Sequence, residues 1–167
     1  ALTLGMVGVE SPVRPGAAAG IARFYEQIMG APATVTVNGN PRARVQVGHN
    51  QELIFRETTE PVRPYDGHHI AVYITNFSGP HRLLQERNLV SEESNQYQYR
   101  FKDIVDPDTR EHLCTIEHEV RCFTPPMYAR PLVNRSPGQQ QRTYAPVRAA
   151  FVPGMSLRCG ATAAVAA

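Results

Sequence analysis

The chain has 167 residues, of which 42% are hydrophobic and 19% charged, a length and composition typical of one globular domain with its own core. No run of about 18 apolar residues is present, which excludes a hydrophobic helix that crosses a bilayer. The formal net charge is only +2. Because the basic residues are scattered singly, we expect neither the clustered cationic face of a nucleic-acid-binding protein nor binding to a membrane.

The three cysteines, Cys114, Cys122 and Cys159, show no CxxC spacing. An odd number of unclustered cysteines favours a reducing compartment over a disulfide framework. The N-terminus has no basic segment followed by an apolar run, so a signal peptide is not expected. These features together predict a cytoplasmic protein.

The first half of the chain predicts a strand, a helix and three further strands. Residues 2–9 contain alternating valines, and prolines and a glycine follow them, as at the end of a strand. The segment AAAGIARFYEQIMG has apolar side chains at helical spacing. Asn38-Gly39 is a hairpin turn signal. The helical stripe consists of Ile21, Phe24, Tyr25, Ile28 and Met29, and the three strands are predicted at residues 34–37, 43–47 and 52–57.

The same order of elements recurs after a proline-bearing linker at residues 61–67. Residues 69–75 alternate apolar and polar side chains, which is typical of a half-buried strand. Pro80 stands near the start of a shorter predicted helix, residues 80–87, where its missing N–H costs little. Three more strands are predicted at residues 89–92, 97–104 and 112–121.

This repeat predicts an α+β fold built from two βαβββ modules. Their sheets can join into a curved, half-open mixed β-barrel with the helices outside and the concave face free for a ligand. We predict one domain at residues 1–130, with module one at 1–60 and module two at 66–122. Residues 131–167 lose periodicity and are predicted as an irregular C-terminal arm. A ferredoxin-like sandwich is the structural alternative, but it uses only four strands.

Several short motifs resemble the vicinal-oxygen-chelate superfamily, which includes glyoxalases, bleomycin-resistance proteins and extradiol dioxygenases. DGHHIAVYITN resembles the opening strand of a second module, ARFYEQIMG the helix end of a first module, and DIVDPDT the turn before the last strand. The resemblance covers residues 2–121. The residues that fit the superfamily's opening-strand pattern are His69, Ile70, Val72, Ile74 and Asn76.

The resemblance implies one metal ligand on the first and last strand of each module, and His69 stands at such a position. Strand alternation turns Ile70 toward the helix and His69 toward the cavity. On the fourth strand, Glu52 is the candidate carboxylate, and Gln51 replaces it if the register slips by one residue. The alternatives are a hydrogen-bonded polar residue at a strand start for His69 and a solvated charge for Glu52.

Glu117 is the third candidate ligand and also the candidate catalytic base. It lies with Glu119 on the strand face opposite Ile116, although the superfamily's spacing from the Asp-Pro turn would reach Leu113 instead. His112, Cys114 and His118 share the face of Ile116 and are expected to be packed or exposed.

The first strand offers no histidine or carboxylate where the superfamily often has one, since Thr3, Leu4 and Met6 are poor ligands. At most three protein ligands remain: His69, Glu52 and Glu117. Such a set suits a divalent ion, Fe, Mn, Zn or Ni, with positions left open for water and substrate.

Two functions of different classes follow from the resemblance. The first is a metal-dependent enzyme on a small oxygenated substrate, with lyase, isomerase or ring-cleaving dioxygenase chemistry. The alternative is a metal-free small-molecule-binding protein of the bleomycin-resistance type, which the vacancy on the first strand favours. An accessory domain of a longer polypeptide is a third alternative. Members with two modules commonly pair, so the resemblance also implies a homodimer.

Overall fold

The computed structural model describes residues 6–123 of the chain. The described elements belong to one compact unit, Ala1–Cys122. The predicted arm at residues 131–167 lies outside the described residues, as do Thr3 and Leu4. Within the described part of the chain, no helix is long and apolar enough to cross a membrane.

The first module consists of β1 (Gly8–Val13), α1 (Ala17–Phe24), β2 (Ala33–Thr36), β3 (Arg42–Gly48) and β4 (Gln51–Glu57). A π-helical turn (Tyr25–Met29) continues α1. It ends at Gly30, whose φ of 67° lies in the left-handed region that a glycine adopts without a Cβ clash.

Residues 2–5 of the first predicted strand lie outside the described residues, and β1 ends later than predicted because it continues through Pro12 to Val13. A proline is tolerated there because β1 is an edge strand that pairs only with β4. Pro12 was interpreted as marking the end of the strand, and that interpretation was wrong, whereas Pro15 does follow the end of β1 at Val13.

The second module repeats the order with β5 (His69–Ile74), α2 (Ser78–Gln85), β6 (Val90–Asn95), β7 (Gln98–Val105) and β8 (His112–Cys122). The strand orders of the two sheets are β1-β4-β3-β2 and β5-β8-β7-β6. In both sheets the first and last strands of the module are parallel neighbours and the other pairs are antiparallel. The predicted α+β fold of two βαβββ modules is confirmed.

One hydrophobic core serves both modules, because α1 and its π-helical turn pack against both sheets. The ring of Tyr25 lies 5.6 Å from that of Phe55 on β4 and 5.7 Å from that of His118 on β8. Phe24 lies 5.7 Å from Phe101 on β7. Apolar residues of both sheets therefore join a single buried cluster, and the helix-free face of each sheet points away from α1.

Candidate functional site

The helix-free face of the second sheet, here named the polar face, gathers most of the candidate residues. His69 on β5 lies directly opposite Glu117 on β8, and Glu119 lies opposite Arg100 on β7. This arrangement follows from strand alternation: Ile116, His118 and Val120 of β8 are buried on the helix side, which turns the residues between them outward.

Glu117 is held by cationic and hydroxyl donors. It accepts a hydrogen bond from Nη1 of Arg100, and the Tyr65 hydroxyl of the linker donates to it at 3.3 Å. Nζ of Lys102 lies 4.0 Å away. The hydrogen bond from Arg100 lowers the pKa of Glu117 from its ordinary value, against the opposing effect of desolvation. Glu117 is therefore an ionised carboxylate that already has a counter-ion.

Glu119 is the most buried charge of the polar face, with only 4% of its side chain exposed. It accepts hydrogen bonds from Nη2 of Arg100 at 2.7 Å and from Nε of Arg121 at 2.6 Å. Nε2 of His69 lies 3.8 Å from Oε2 of Glu119, the oxygen that also accepts from Arg100, and the His69 side chain is half exposed. The sequence placed Glu119 on the correct face but gave it no role, although its position two residues beyond Glu117 was the available signal.

The spacing between the Asp-Pro turn and Glu117 has a structural explanation. The β7–β8 ladder shifts between Phe101 and Asp103 and again between Ile104 and Val105. At each shift β8 contains one residue more than β7, so the strand is locally longer. The extra length lets both Leu113 and Ile116 point into the core while Glu117 keeps its place opposite His69.

Glu52 lies on the helix-free face of the first sheet, as predicted, because Leu53 and Phe55 of β4 are buried on the helix side. Its carboxylate forms an ion pair with Arg44 of β3. Gly8 of β1 stands opposite Glu52, just as His69 stands opposite Glu117. The residue equivalent to His69 in the first module is therefore a glycine, which cannot bind a metal through a side chain.

Glu52 and the His69–Glu117 pair lie on different sheets, and both faces point away from α1. Among residues 6–123, no three histidine, cysteine, aspartate or glutamate side chains come together as a metal site. Each candidate carboxylate is also bound to a guanidinium. Within a single chain, this donor set does not fit a divalent ion.

The other chemically active side chains of β8 lie in the core or at the exposed start of the strand. His118 donates from Nδ1 to the carbonyl of Ile116 at 2.9 Å and accepts from the Tyr25 hydroxyl at 2.6 Å. Burial lowers the pKa of His118 to about 4 and raises that of Cys114 to about 12. His112 is exposed and contacts Asp103. His118 and Cys114 therefore belong to the core and not to the polar face.

Comparison with known proteins gives matches only among solved structures, since no protein-family model and no curated protein matches the chain. A protein described as a possible glyoxalase from Bacillus cereus has a TM-score of 0.50 at 17% identity, over 72% of this chain and 100% of that one. The chain has the vicinal-oxygen-chelate fold. At this identity the likeness is one of fold alone.

Two further structures with the vicinal-oxygen-chelate fold give similar values. A glyoxalase family protein from Bacillus anthracis has a TM-score of 0.48 at 17% identity, over 72% of this chain and 98% of that one. A mutant of the fosfomycin resistance protein FosX from Listeria monocytogenes, in complex with Mn(II) and a dihydroxypropylphosphonic acid, has a TM-score of 0.49 at 11% identity. Its match covers 72% of this chain and 93% of that one.

Proposed function

We propose that the chain is a metal-independent small-molecule-binding protein with the vicinal-oxygen-chelate fold, and that its ligand binds at the polar face of the second module. The observation that carries this proposal is that the Glu117 carboxylate already accepts hydrogen bonds from Arg100 and Tyr65. A carboxylate that serves as a metal ligand needs free lone pairs, and here a fixed cation holds them.

Electrostatics supports the same conclusion. If a divalent ion bound to Glu117, the guanidinium of Arg100 would remain near it, because Arg100 also donates to the buried Glu119. Two unit charges about 4 Å apart interact by about 4 kcal/mol at an effective dielectric constant of about 20, and a divalent ion doubles that repulsion. Metal binding would have to overcome this cost as well as break the bond from Arg100.

The polar face offers several groups to a small molecule. Nε of Arg100 is buried without a hydrogen-bond partner within residues 6–123, and Glu92 lies 3.9 Å from it. The cation that a ligand oxygen can reach is Lys102, whose side chain is 48% exposed. His69 is half exposed on the same face. The guanidinium of Arg121 lies 5.7 Å from the centre of the Tyr73 ring, a cation–π arrangement that stiffens the floor of the site. We infer a small, oxygen-bearing ligand.

The polar face is a sheet surface on which the His69 side chain is half exposed, whereas small-molecule sites generally bury about 70–90% of the ligand surface. A homodimer in which a second copy covers this face would supply the missing wall, and β5 is an edge strand available for such a contact. We therefore include the homodimer in the proposal. Sedimentation velocity tests it, with a monomer at all concentrations as the contrary result.

Metal titration tests the metal-independent part of the proposal. We expect the chelator-treated protein to show no saturable binding of Mn(II), Fe(II), Zn(II) or Ni(II) by calorimetry, and we expect the His69→Ala variant to behave identically. Stoichiometric binding that His69→Ala abolishes would overturn the proposal. An Arg100→Gln variant adds a matched control: if Arg100 is the barrier, metal affinity should rise when its charge is removed.

The metal-dependent enzyme remains the second candidate, and one observation favours it. His69 and Glu117 face each other across neighbouring strands, as two ligands of the superfamily's metal would. In this candidate Glu52 of a second copy completes the set, and the chemistry is that of a lyase, an isomerase or a ring-cleaving dioxygenase. The same titration decides between the two candidates, because only this one requires His69-dependent metal binding.

A further inference from the structure

A cavity of about 800 Å³ is lined by residues of both sheets and of the linker between the modules. Strands β1 and β4 of the first sheet and β5 and β8 of the second contribute its walls, and the linker at residues 58–66 borders it. Its volume is within the range of about 300–1,000 Å³ that is usual for small-molecule sites. Its apolar lining comprises Val9, Val13, Phe55, Ile70, Leu113 and Ile116.

The charges around this cavity are largely compensated by their own neighbours. Arg56 pairs with Glu10 at 2.7 Å, and His68 contacts Asp66 at 2.6 Å. Arg14 also lines the cavity, and it pairs at 2.5 Å with Glu111, which does not. The two other charged residues of the lining, Glu60 and Arg63, have opposite signs and are exposed on the linker.

An ionic ligand would lose its hydration in this cavity and would meet charges that are already paired or, for Glu60 and Arg63, exposed to solvent, which is unfavourable. An uncharged apolar molecule loses little hydration and gains contact with both sheets. Val9 and Ile70 pack against the core but are only partly buried, so they have apolar surface left for such a contact.

We propose that this cavity binds an uncharged, mainly apolar small molecule. The cavity borders the polar face through Tyr65, which lines it and also donates to Glu117, but the proposal does not depend on the function proposed above. Apolar side chains of two sheets and of the linker supply the contact surface for such a ligand.

The test uses the full chain and the uncharged dye Nile red. We expect a saturable rise in fluorescence with one site per chain. Ser11→Phe is the blocking variant, because Ser11 is half buried in the lining and lies opposite Phe55; it should weaken binding at least about tenfold, equivalent to about 1.4 kcal/mol. Val37→Phe is the matched control, since it adds the same ring at a position that is 73% exposed and should leave binding unchanged.

A second comparison tests the charge of the ligand. Decanol should displace the dye at lower concentration than decanoate, which has the same chain length but carries a charge. The proposal is overturned if Nile red does not bind, or if Ser11→Phe, shown by circular dichroism to be folded, binds it as tightly as the unmodified chain. Stronger displacement by decanoate would overturn the uncharged class of ligand.

Discussion

Lowering the pH from 8 to 5 should destabilise this protein through one buried histidine. His118 is only 1% exposed, its ring stacks on that of Phe101 at 4.3 Å, and its Nε2 accepts the hydroxyl proton of Tyr25. Burial lowers its pKa from 6.5 to about 4 in the folded chain. The unfolded chain, whose histidine keeps its ordinary pKa, therefore takes up a proton that the folded chain refuses.

The sign and size of the effect follow from linkage. For a histidine with a lowered pKa, stability is unaffected above pH 6.5, falls between pH 6.5 and 4, and is constant again below that. The full loss is about 3 kcal/mol, at about 1.4 kcal/mol for each unit of difference between the two pKa values, and about 2 kcal/mol of it has appeared at pH 5. The pKa values of Glu117 and Asp106 are lowered from 4.5 and 3.8 in the folded chain. Their contributions to the unfolding free energy are therefore lost mainly below pH 5.

Urea unfolding at pH 8 and pH 5 measures the loss directly. The control is the double variant Tyr25→Phe/His118→Phe, which removes the titrating group and its hydroxyl donor together, so that only the Ile116 carbonyl loses a donor. We expect the fall in unfolding free energy between the two pH values to be about 2 kcal/mol smaller in this variant. An equal fall in both proteins would show that His118 is not the group responsible.

Three further outcomes are expected from the core and its edges. A Cβ added at Gly20 would lie 2.8 Å from both Oδ2 of Asp106 and Cδ1 of Leu113, so Gly20→Ala should lower the unfolding free energy by about 1–3 kcal/mol in urea. Asp106 is nearly buried and pairs with Arg23 of α1 at 2.5 Å, so Asp106→Ala should cost about 1–3 kcal/mol and lower the melting temperature. Burial raises the pKa of Cys114 to about 12, so its thiol should resist alkylation at pH 8 until urea unfolds the chain, as peptide mapping can show.

The sequence predicted the elements that depend on local patterns. The stripe that includes Ile21, Phe24 and Tyr25 is buried as expected, and alternation placed Glu52 and Glu117 on the helix-free faces. β1 was misplaced because Pro12 ends a strand in most contexts but is accepted on an edge. The helical stripe, the strand alternation and the misplaced end of β1 all depend on rules that act over a few neighbouring residues.

The partners of the candidate ligands were not predictable in the same way. Arg100 lies 17 residues from Glu117 and meets it only because of the register of β7 on β8, which includes two irregularities. Arg44 reaches Glu52 through the register of β3 on β4, and Tyr65 reaches Glu117 from the linker. A short motif that identifies a possible ligand carries no information about the cation that a neighbouring strand places on it.

The burial of Glu119 accounts for the presence of Arg100 and Arg121 on the polar face, since both donate to it. A carboxylate that is 4% exposed is costly unless charged donors compensate it, and Arg100 and Arg121 supply those donors from both sides. The hydrogen bond to Glu119 therefore holds Arg100 in place whether or not a ligand is present. Because the same guanidinium extends to Glu117, the carboxylate in the position of a metal ligand is neutralised as a consequence of burying its neighbour. A metal can use Glu117 only if Glu119 is left with Arg121 alone, which makes Arg100 the residue that decides between the two candidate functions.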